Sequence, residues 1–497
     1  MVSRLHRKSA VVKMTTPLPF RGIARTRPRC TRITRYLSYI APIQCTGDSP
    51  IQTAEGVMMA TPSRGTQAAS WAAILLTLMF ALLATGCDTF QASEGDGFGA
   101  AETVTGPATA FKITDVQDSC TLGTQSSGAL FEVCVPDASE FNGVLVVYAH
   151  GFVFPQAPLA VPDDQLGGVP AKEIIVGQGF AYAATSYYTN GLVDPQEGLK
   201  DLRELIVIFN NVYGRTLGRA QQVILVGFSN GAFLSTVALE KQAGLFDGAL
   251  ASCGPIGDYH RQIEYYGDVL VLFQFFYPGI IEGGPDGMPQ STIDWAEANL
   301  AAAVGAALLS DPVKAQQFFA ILAGTSAIVG ADPLTGALPP LDAVTIGELA
   351  EALVAVLRYA IFPVNDAIEK LNGSPYGNLD RMYGDLLGAE FAALVAAVNQ
   401  GVARFEPDRG ALAQLEARFK THGNLKAPLV ALHNLFDPIV PFWQETLYED
   451  KLSGRAEGVF HLNPVPVSEP VGHCDFSAAE LFGALAVLQQ AIGGPIL

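Results

Sequence analysis

A chain of 497 residues, 49% hydrophobic and 16% charged, carries enough apolar side chain to bury a large core, which excludes a mostly disordered protein. The formal net charge of −18 is uneven: 19 of the 30 basic and 46 of the 48 acidic residues lie beyond Cys87, a formal net of −27 for that part. Such a surface repels polyanions, so nucleic acid is excluded as a partner.

Residues 1–57 hold ten basic residues, two acids and no clear periodicity. They read as an upstream extension ahead of a true start near Met58 and Met59, or as a disordered basic arm. An apolar run of 17 residues follows at 68–84, with Arg64 before it and Thr85-Gly86-Cys87 after it. A positive region, an apolar stretch and small residues at a cut site describe a secretory signal, here spanning 58–86. A plain signal peptide or a single membrane anchor is the alternative, though the run is marginal in length for a spanning helix. The small residues before Cys87 resemble the lipobox of bacterial lipoproteins. That resemblance implies cleavage before Cys87, lipidation of its thiol and a lipid anchor in a membrane. The protein is then exported from a bacterial cell and held at a membrane or the cell surface, and is otherwise periplasmic or secreted. Residues 87–108 are small, polar and Gly-rich, and read as a flexible tether.

From residue 109 strands and helices alternate. ALFEVCV (129–135) and GVLVVYA (143–149) read as strands, AKEIIVGQG (171–179) as a helix, FAYAATSYY (180–188) as a strand. GLKDLRELIVIFNNVYG (198–214) has apolar residues at helical spacing. QQVILVGF (221–228) is an apolar strand, NGAFLSTVALEKQAG (230–244) a helix and FDGALASC (246–253) a strand. Continuous apolar strands alternating with helices predict a mostly parallel sheet covered on both faces. Between 260 and 426 only helical periodicity appears, far longer than an ordinary connection, and this predicts an inserted helical cap. APLVALHN (427–434) and EGVFHLN (457–463) resume the strands, and SAAELFGALAVLQQAIG (477–493) closes the chain as a helix. The predicted α/β core is therefore 109–259 together with 427–497.

Beyond Cys87 there are four cysteines: Cys120, Cys134, Cys253 and Cys474. In an oxidising compartment they allow three disulfide connectivities. A local Cys120–Cys134 bridge across a turn-rich segment is easy, and Cys253–Cys474 would then remain. Four buried thiols are the alternative.

Gly227-Phe228-Ser229-Asn230-Gly231 is a G-x-S-x-G between an apolar strand and a small-residue helix start. That setting presents a serine hydroxyl on a sharp turn at the positive end of a helix. A serine hydroxyl needs a histidine base, and the base an orienting carboxylate. His473, on the loop before the last helix, fits the base, while His461 reads as structural, His433, on the strand leading to the acid, as a core residue or a support behind the acid, and His150 as a brace for its loop. Asp437, in LHNLFDPIVPF just past a strand, fits the acid; Asp258 is the runner-up, and Asp475 is too close in sequence to His473. The oxyanion needs two backbone N–H groups, one from Asn230 and one from the His150-Gly151-Phe152 loop. Phe152, Phe154, Tyr187, Tyr188, Phe228 and Trp443 are candidate pocket walls. No metal-site spacing and no phosphate-binding loop occurs, so no cofactor is expected.

HGF, GFSNGA, the Asp437 loop and Gly472-His473 together resemble the α/β-hydrolase superfamily over about 110–259 and 427–497. The resemblance implies that Phe152 donates the second oxyanion N–H. The pair His473-Cys474 is similar to half of a tannase and feruloyl-esterase signature, in which a cysteine beside the nucleophile bridges one beside the histidine. Here Phe228 precedes Ser229, so such a bridge would use Cys253. The Asn-Gly after the serine and the cap also resemble secreted lipases, polyester depolymerases and prolyl-oligopeptidase-like enzymes. The expected activity is ester hydrolysis on a small-molecule or polymeric ester; a peptidase or amidase, and a non-catalytic surface binding protein, are the alternatives.

Overall fold

The computed structural model describes residues 111–117, 119–166, 169–242, 244–325, 343–452, 461–462 and 472–494. The extension 1–57, the signal segment 58–86, Cys87, the tether and the start of the 457–463 strand lie outside these residues.

Eleven strands and twelve α-helices follow one another along the described chain. The first half contains β1 (Lys112–Gln117), β2 (Cys120–Thr124), β3 (Leu130–Cys134), β4 (Val144–Ala149), the short β5 (Gln165–Leu166) and β6 (Val169–Pro170), α1 (Ala171–Gly177) and β7 (Ala181–Thr185). Then come α2 (Pro195–Val212), β8 (Gln222–Phe228), α3 (Asn230–Lys241) and β9 (Gly248–Ser252). After a long helical stretch the chain closes with β10 (Leu429–Leu432), α11 (Trp443–Leu452), β11 (His461–Leu462) and α12 (Ala478–Ala491).

Nine strands form one sheet in the order β1-β2-β3-β7-β4-β8-β9-β10-β11. β7, β4, β8, β9, β10 and β11 pair in parallel, and β1, β2 and β3 extend the sheet in antiparallel fashion beyond β7. Strict alternation explains why the parallel strands are apolar throughout. On β4, Leu145, Val147 and Ala149 face the cluster that holds α2 and α3, while Val144, Val146 and Tyr148 face the cluster that holds α1 and α12. α2 contributes Leu202, Leu205, Ile206 and Phe209, all buried. Each such Leu or Phe is worth about 1.5–3 kcal/mol of transfer energy.

Both disulfides are formed. Cys120 and Cys134 stand opposite each other in the β2–β3 register, and Cys253, just after β9, is bonded to Cys474.

Among the described residues no strand of the sheet lies between Ser252 and Leu429. The interval holds α4 (Tyr259–Phe276), α5 (Gln290–Ser310), α6 (Pro312–Gly324), α7 (Ala343–Ile361), α8 (Val364–Leu371), α9 (Ala392–Gly401) and α10 (Arg409–Arg418). α4 to α7 build a core of their own around Leu272, Phe273, Val304, Phe318, Leu353 and Leu357. Leu371, Ala411, Leu415, Phe419 and Leu425 pack instead in the cluster under the sheet. Residues of α8 and α10 and of the segment after α10 thus pack with the sheet. Among the described residues no helix is long and apolar enough to cross a membrane.

Candidate active site

A single residue separates β8 from α3, and it is Ser229, at φ 53° and ψ −119°. A non-glycine backbone held there costs about 1–3 kcal/mol and persists only when its surroundings enforce it. The Ser229 N–H donates to Ser252 O at 2.8 Å, and its carbonyl accepts from Ala232 N at 3.0 Å. The flanking glycines make the turn possible. A Cβ on Gly231 would lie 1.9 Å from the Ala149 carbonyl oxygen, and one on Gly227 would lie 2.4 Å from Ser235 Oγ. Strand β4 and helix α3 could not approach with any larger residue there.

The Ser229 hydroxyl lies 2.9 Å from His473 Nε2. His473 Nδ1 lies 2.7 Å from Asp437 Oδ2. The other carboxylate oxygen, Oδ1, accepts from the backbone N–H groups of Ile439 and Val440, both at 2.9 Å. Asp437 has no exposed side-chain surface, and the His473 side chain retains 12%. The carboxylate is therefore oriented by two amides on one oxygen, leaving the other for the imidazole.

His473 itself is fixed by its neighbours. Cys474 is bonded to Cys253. Asn434 clamps Asp475, with Nδ2 donating to Asp475 O at 3.0 Å and Oδ1 accepting from Asp475 N at 3.2 Å. Ser477 and Glu480 then form a reciprocal capping box at the start of α12. Asp475 thus serves through its backbone. Asp258 caps α4, accepting from Arg261 N at 3.0 Å.

On the other side of Ser229, the His150-Gly151-Phe152 loop comes close enough that a Cβ on Gly151 would lie 3.3 Å from Ser229 Cβ. His150 is buried, its imidazole held neutral by burial, which lowers its pKa. The ring lies 4.3 Å from that of Tyr187, and Nδ1 is 2.7 Å from Gly151 O. Among the described residues the N–H groups of Phe152 and Asn230 donate to no protein acceptor. Asn230 begins α3, where free amides and the helix dipole favour a negative charge.

Ser229, Asn230 and Phe152 open onto a cleft of about 860 Å³, its mouth included. α4 lines it with Tyr259, Gln262, Ile263, Tyr266 and Gly267, the spacing of one helical face. α7 and α8 line it with residues from Tyr359 to Ile368. None of its lining side chains carries a formal charge.

Of the aromatic residues expected as pocket walls, Phe152 borders this cleft and the other five do not. Phe154 packs into the helical layer, 5.2 Å from Tyr359 and 5.3 Å from Phe362. Tyr187 is fully buried against His150. Tyr188 packs on the cluster under α2, its oxygen accepting from Asp194 N at 3.3 Å. Phe228 points to the opposite face of the sheet, 5.9 Å from Tyr148, as its alternation with Gly227 requires. Trp443 joins the helical cluster beneath Arg261, whose guanidinium lies 4.9 Å from the ring. The aromatic walls not expected from the sequence are Tyr259, Tyr266, Tyr359 and Tyr376, and all but Tyr259 come from the stretch 260–426. The signal for Tyr259 and Tyr266 was the i, i+3, i+4, i+7 pattern starting at Tyr259, which an ordinary packing face shares.

No family model and no curated protein matches the chain. Solved structures similar to it include feruloyl esterase B from Aspergillus oryzae, at 14% identity and TM-score 0.38 over 72% of this chain and 73% of that one. Tannin acyl hydrolase from Aspergillus niger is similar at 14% identity and TM-score 0.36 over 77% and 82%. An acylaminoacyl peptidase from Pyrococcus horikoshii is similar at 13% identity and TM-score 0.29 over 73% of this chain and 36% of that one. The sheet order, the helices on both its faces and the strand–serine–helix turn at Ser229 give this chain the α/β-hydrolase fold.

Proposed function

We propose that the protein is a serine hydrolase that cleaves carboxylic esters through an acyl-enzyme. The observation that carries this reading is His473 set between Asp437 and Ser229, at 2.7 and 2.9 Å, beside an uncharged cleft. His473 Nε2 takes the Ser229 proton as Oγ attacks the ester carbonyl, and Asp437 accepts the Nδ1–H and stabilises the imidazolium. The Asn230 and Phe152 amides receive the oxyanion. The imidazolium protonates the leaving alcohol, and a water activated by His473 then releases the acid and regenerates Ser229. α4, α7 and α8 act as a cap that shields the acyl-enzyme and takes an uncharged, largely apolar part of the substrate.

The two disulfides support an exported protein. Lipidation at Cys87 completes this reading as a tether to the membrane; labelling with an alkyne fatty acid, lost in Cys87→Ser, tests it.

A fluorophosphonate probe should label Ser229, and Ser229→Ala should remove the label. p-Nitrophenyl esters of increasing chain length should be turned over in preference to aminoacyl anilides. Anilide turnover without ester preference would make the protein a peptidase. Failure of the probe to label Ser229 would leave a binding protein on a hydrolase scaffold.

A further inference from the structure

A second histidine lies directly behind Asp437. His433 follows β10, has no exposed side-chain surface, and has an acceptor at each ring nitrogen. Nδ1 is 3.0 Å from Glu445 Oε1, on α11, and Nε2 is 2.7 Å from the Val440 carbonyl oxygen. An imidazole between a carboxylate and a carbonyl needs two N–H groups, unless the carboxylate itself takes a proton. Asp437 Oδ2, 3.7 Å from Nε2, weighs that balance toward the cation.

We propose that His433 is an imidazolium, held by Glu445, that positions Asp437 and tempers the pull of its carboxylate on the catalytic proton. Burial alone would strip the proton from His433, but the hydrogen bond and charge of Glu445, then the charge of Asp437, push its pKa above the usual range.

Two effects follow. The first is positional. Val440 donates its N–H to Asp437 Oδ1, and its carbonyl oxygen accepts from His433 Nε2–H. His433 thereby clamps the turn that wraps the Asp437 carboxylate and aims Oδ2 at His473. The second is electrostatic. A cation behind Asp437 competes for the carboxylate charge that pairs with the imidazolium His473 forms as it takes the Ser229 proton. Among the described residues, Phe442 meets His433 edge-on at 5.7 Å, Tyr265 of α4 donates its hydroxyl to Pro438 O at 2.6 Å, and the Tyr266 and Tyr359 hydroxyls also interact electrostatically with Asp437. His473 lies across Asp437.

The tuning role rests on the acyl-transfer reading; the charge state of His433 does not. In the full chain, His433→Gln should move the acidic limb of the kcat/KM–pH profile upward by about half a pH unit or more. Glu445→Gln should move it in the same direction by less. An unmoved limb with only a lower Tm would reduce His433 to a packing residue. Should His433→Gln fail to fold, the ¹⁵N-histidine spectrum of the wild-type chain decides the charge. Two ring N–H signals for His433 at pH 8, identified by the loss of one in Glu445→Gln, are expected, and a single N–H would overturn the imidazolium. A wild-type chain that hydrolyses no ester would defeat the acyl-transfer reading, and the two N–H signals would still decide His433.

Discussion

Asp437 shows how narrow the tolerance at one side chain is. Its Oδ1 is occupied by two backbone amides and its Oδ2 by His473 Nδ1. An asparagine fits the same space, but with its oxygen facing the amides it turns an NH₂ toward His473. The imidazole must then accept at Nδ1 and carry its proton on Nε2, where it can no longer take one from Ser229. Asp437→Asn is expected to lower kcat by about 10⁴-fold with little change in Tm, measured by ester turnover and a thermal melt. Ser229, Asp437 and His473 were legible because each stands in a local context with a chemical meaning: a Gly-x-Ser-x-Gly turn, a proline-stiffened loop, a Gly-His before the last helix. The pocket walls were not. Tyr187 and Phe228 sit beside residues that matter, yet strand alternation sends Phe228 to the far face and burial closes Tyr187 off.

Elements carry the next level of information. The parallel strands were legible because burial on both faces left them continuously apolar. The strand β1, KITDVQ, has all six residues exposed and offered no apolar alternation. α11, WQETLYEDKL, is too charged to show a stripe, although it brings Glu445 to His433. The two disulfides belong to different elements and should fail differently. Cys120–Cys134 closes a separation of 14 residues at the antiparallel end of the sheet. Replacing both of its cysteines by serine should cost about 3 kcal/mol of stability and leave kcat/KM within about twofold. Cys253–Cys474 ties the end of β9 to the residue after His473. Its double serine variant should lose about tenfold or more in kcat/KM at temperatures where circular dichroism shows the fold intact. Equal effects of the two on activity would contradict this division.

In the helical layer, Asp268 of α4 carries a raised pKa. The carboxylate is buried, accepts from Tyr376 and Tyr383 at 3.0 and 2.8 Å, and lies 3.3 Å from the Arg381 guanidinium. Burial outweighs those partners and pushes it up to about 6. Between the ordinary Asp value near 4 and about 6, the folded protein holds a proton that the unfolded chain lacks. Stability from this group is therefore full below that window and falls as pH rises through it, by at most about 3 kcal/mol. Denaturation of wild type and Asp268→Asn from pH 4 to 8 should show a difference that changes through this window and is flat above it.

At the scale of the whole molecule, the net charge of the chain contrasts with the lining of the cleft. The chain beyond Cys87 has a formal net charge of −27, whereas the side chains lining the cleft carry no formal charge. A negative surface repels anions over a range set by the Debye length, about 10 Å at 0.1 M salt and 30 Å at 0.01 M. An ester bearing a carboxylate should therefore reach Ser229 slowly at low salt, and should also pay for desolvating its charge among the Tyr and Pro walls. Its neutral isostere meets neither obstacle. Raising NaCl from 10 to 500 mM should increase kcat/KM for the anionic ester several-fold and leave the neutral one nearly constant. Salt relieves only the approach, so the anionic ester should remain the poorer substrate at every concentration. If both esters respond alike, the surface charge does not govern access, and selectivity rests on the cleft alone.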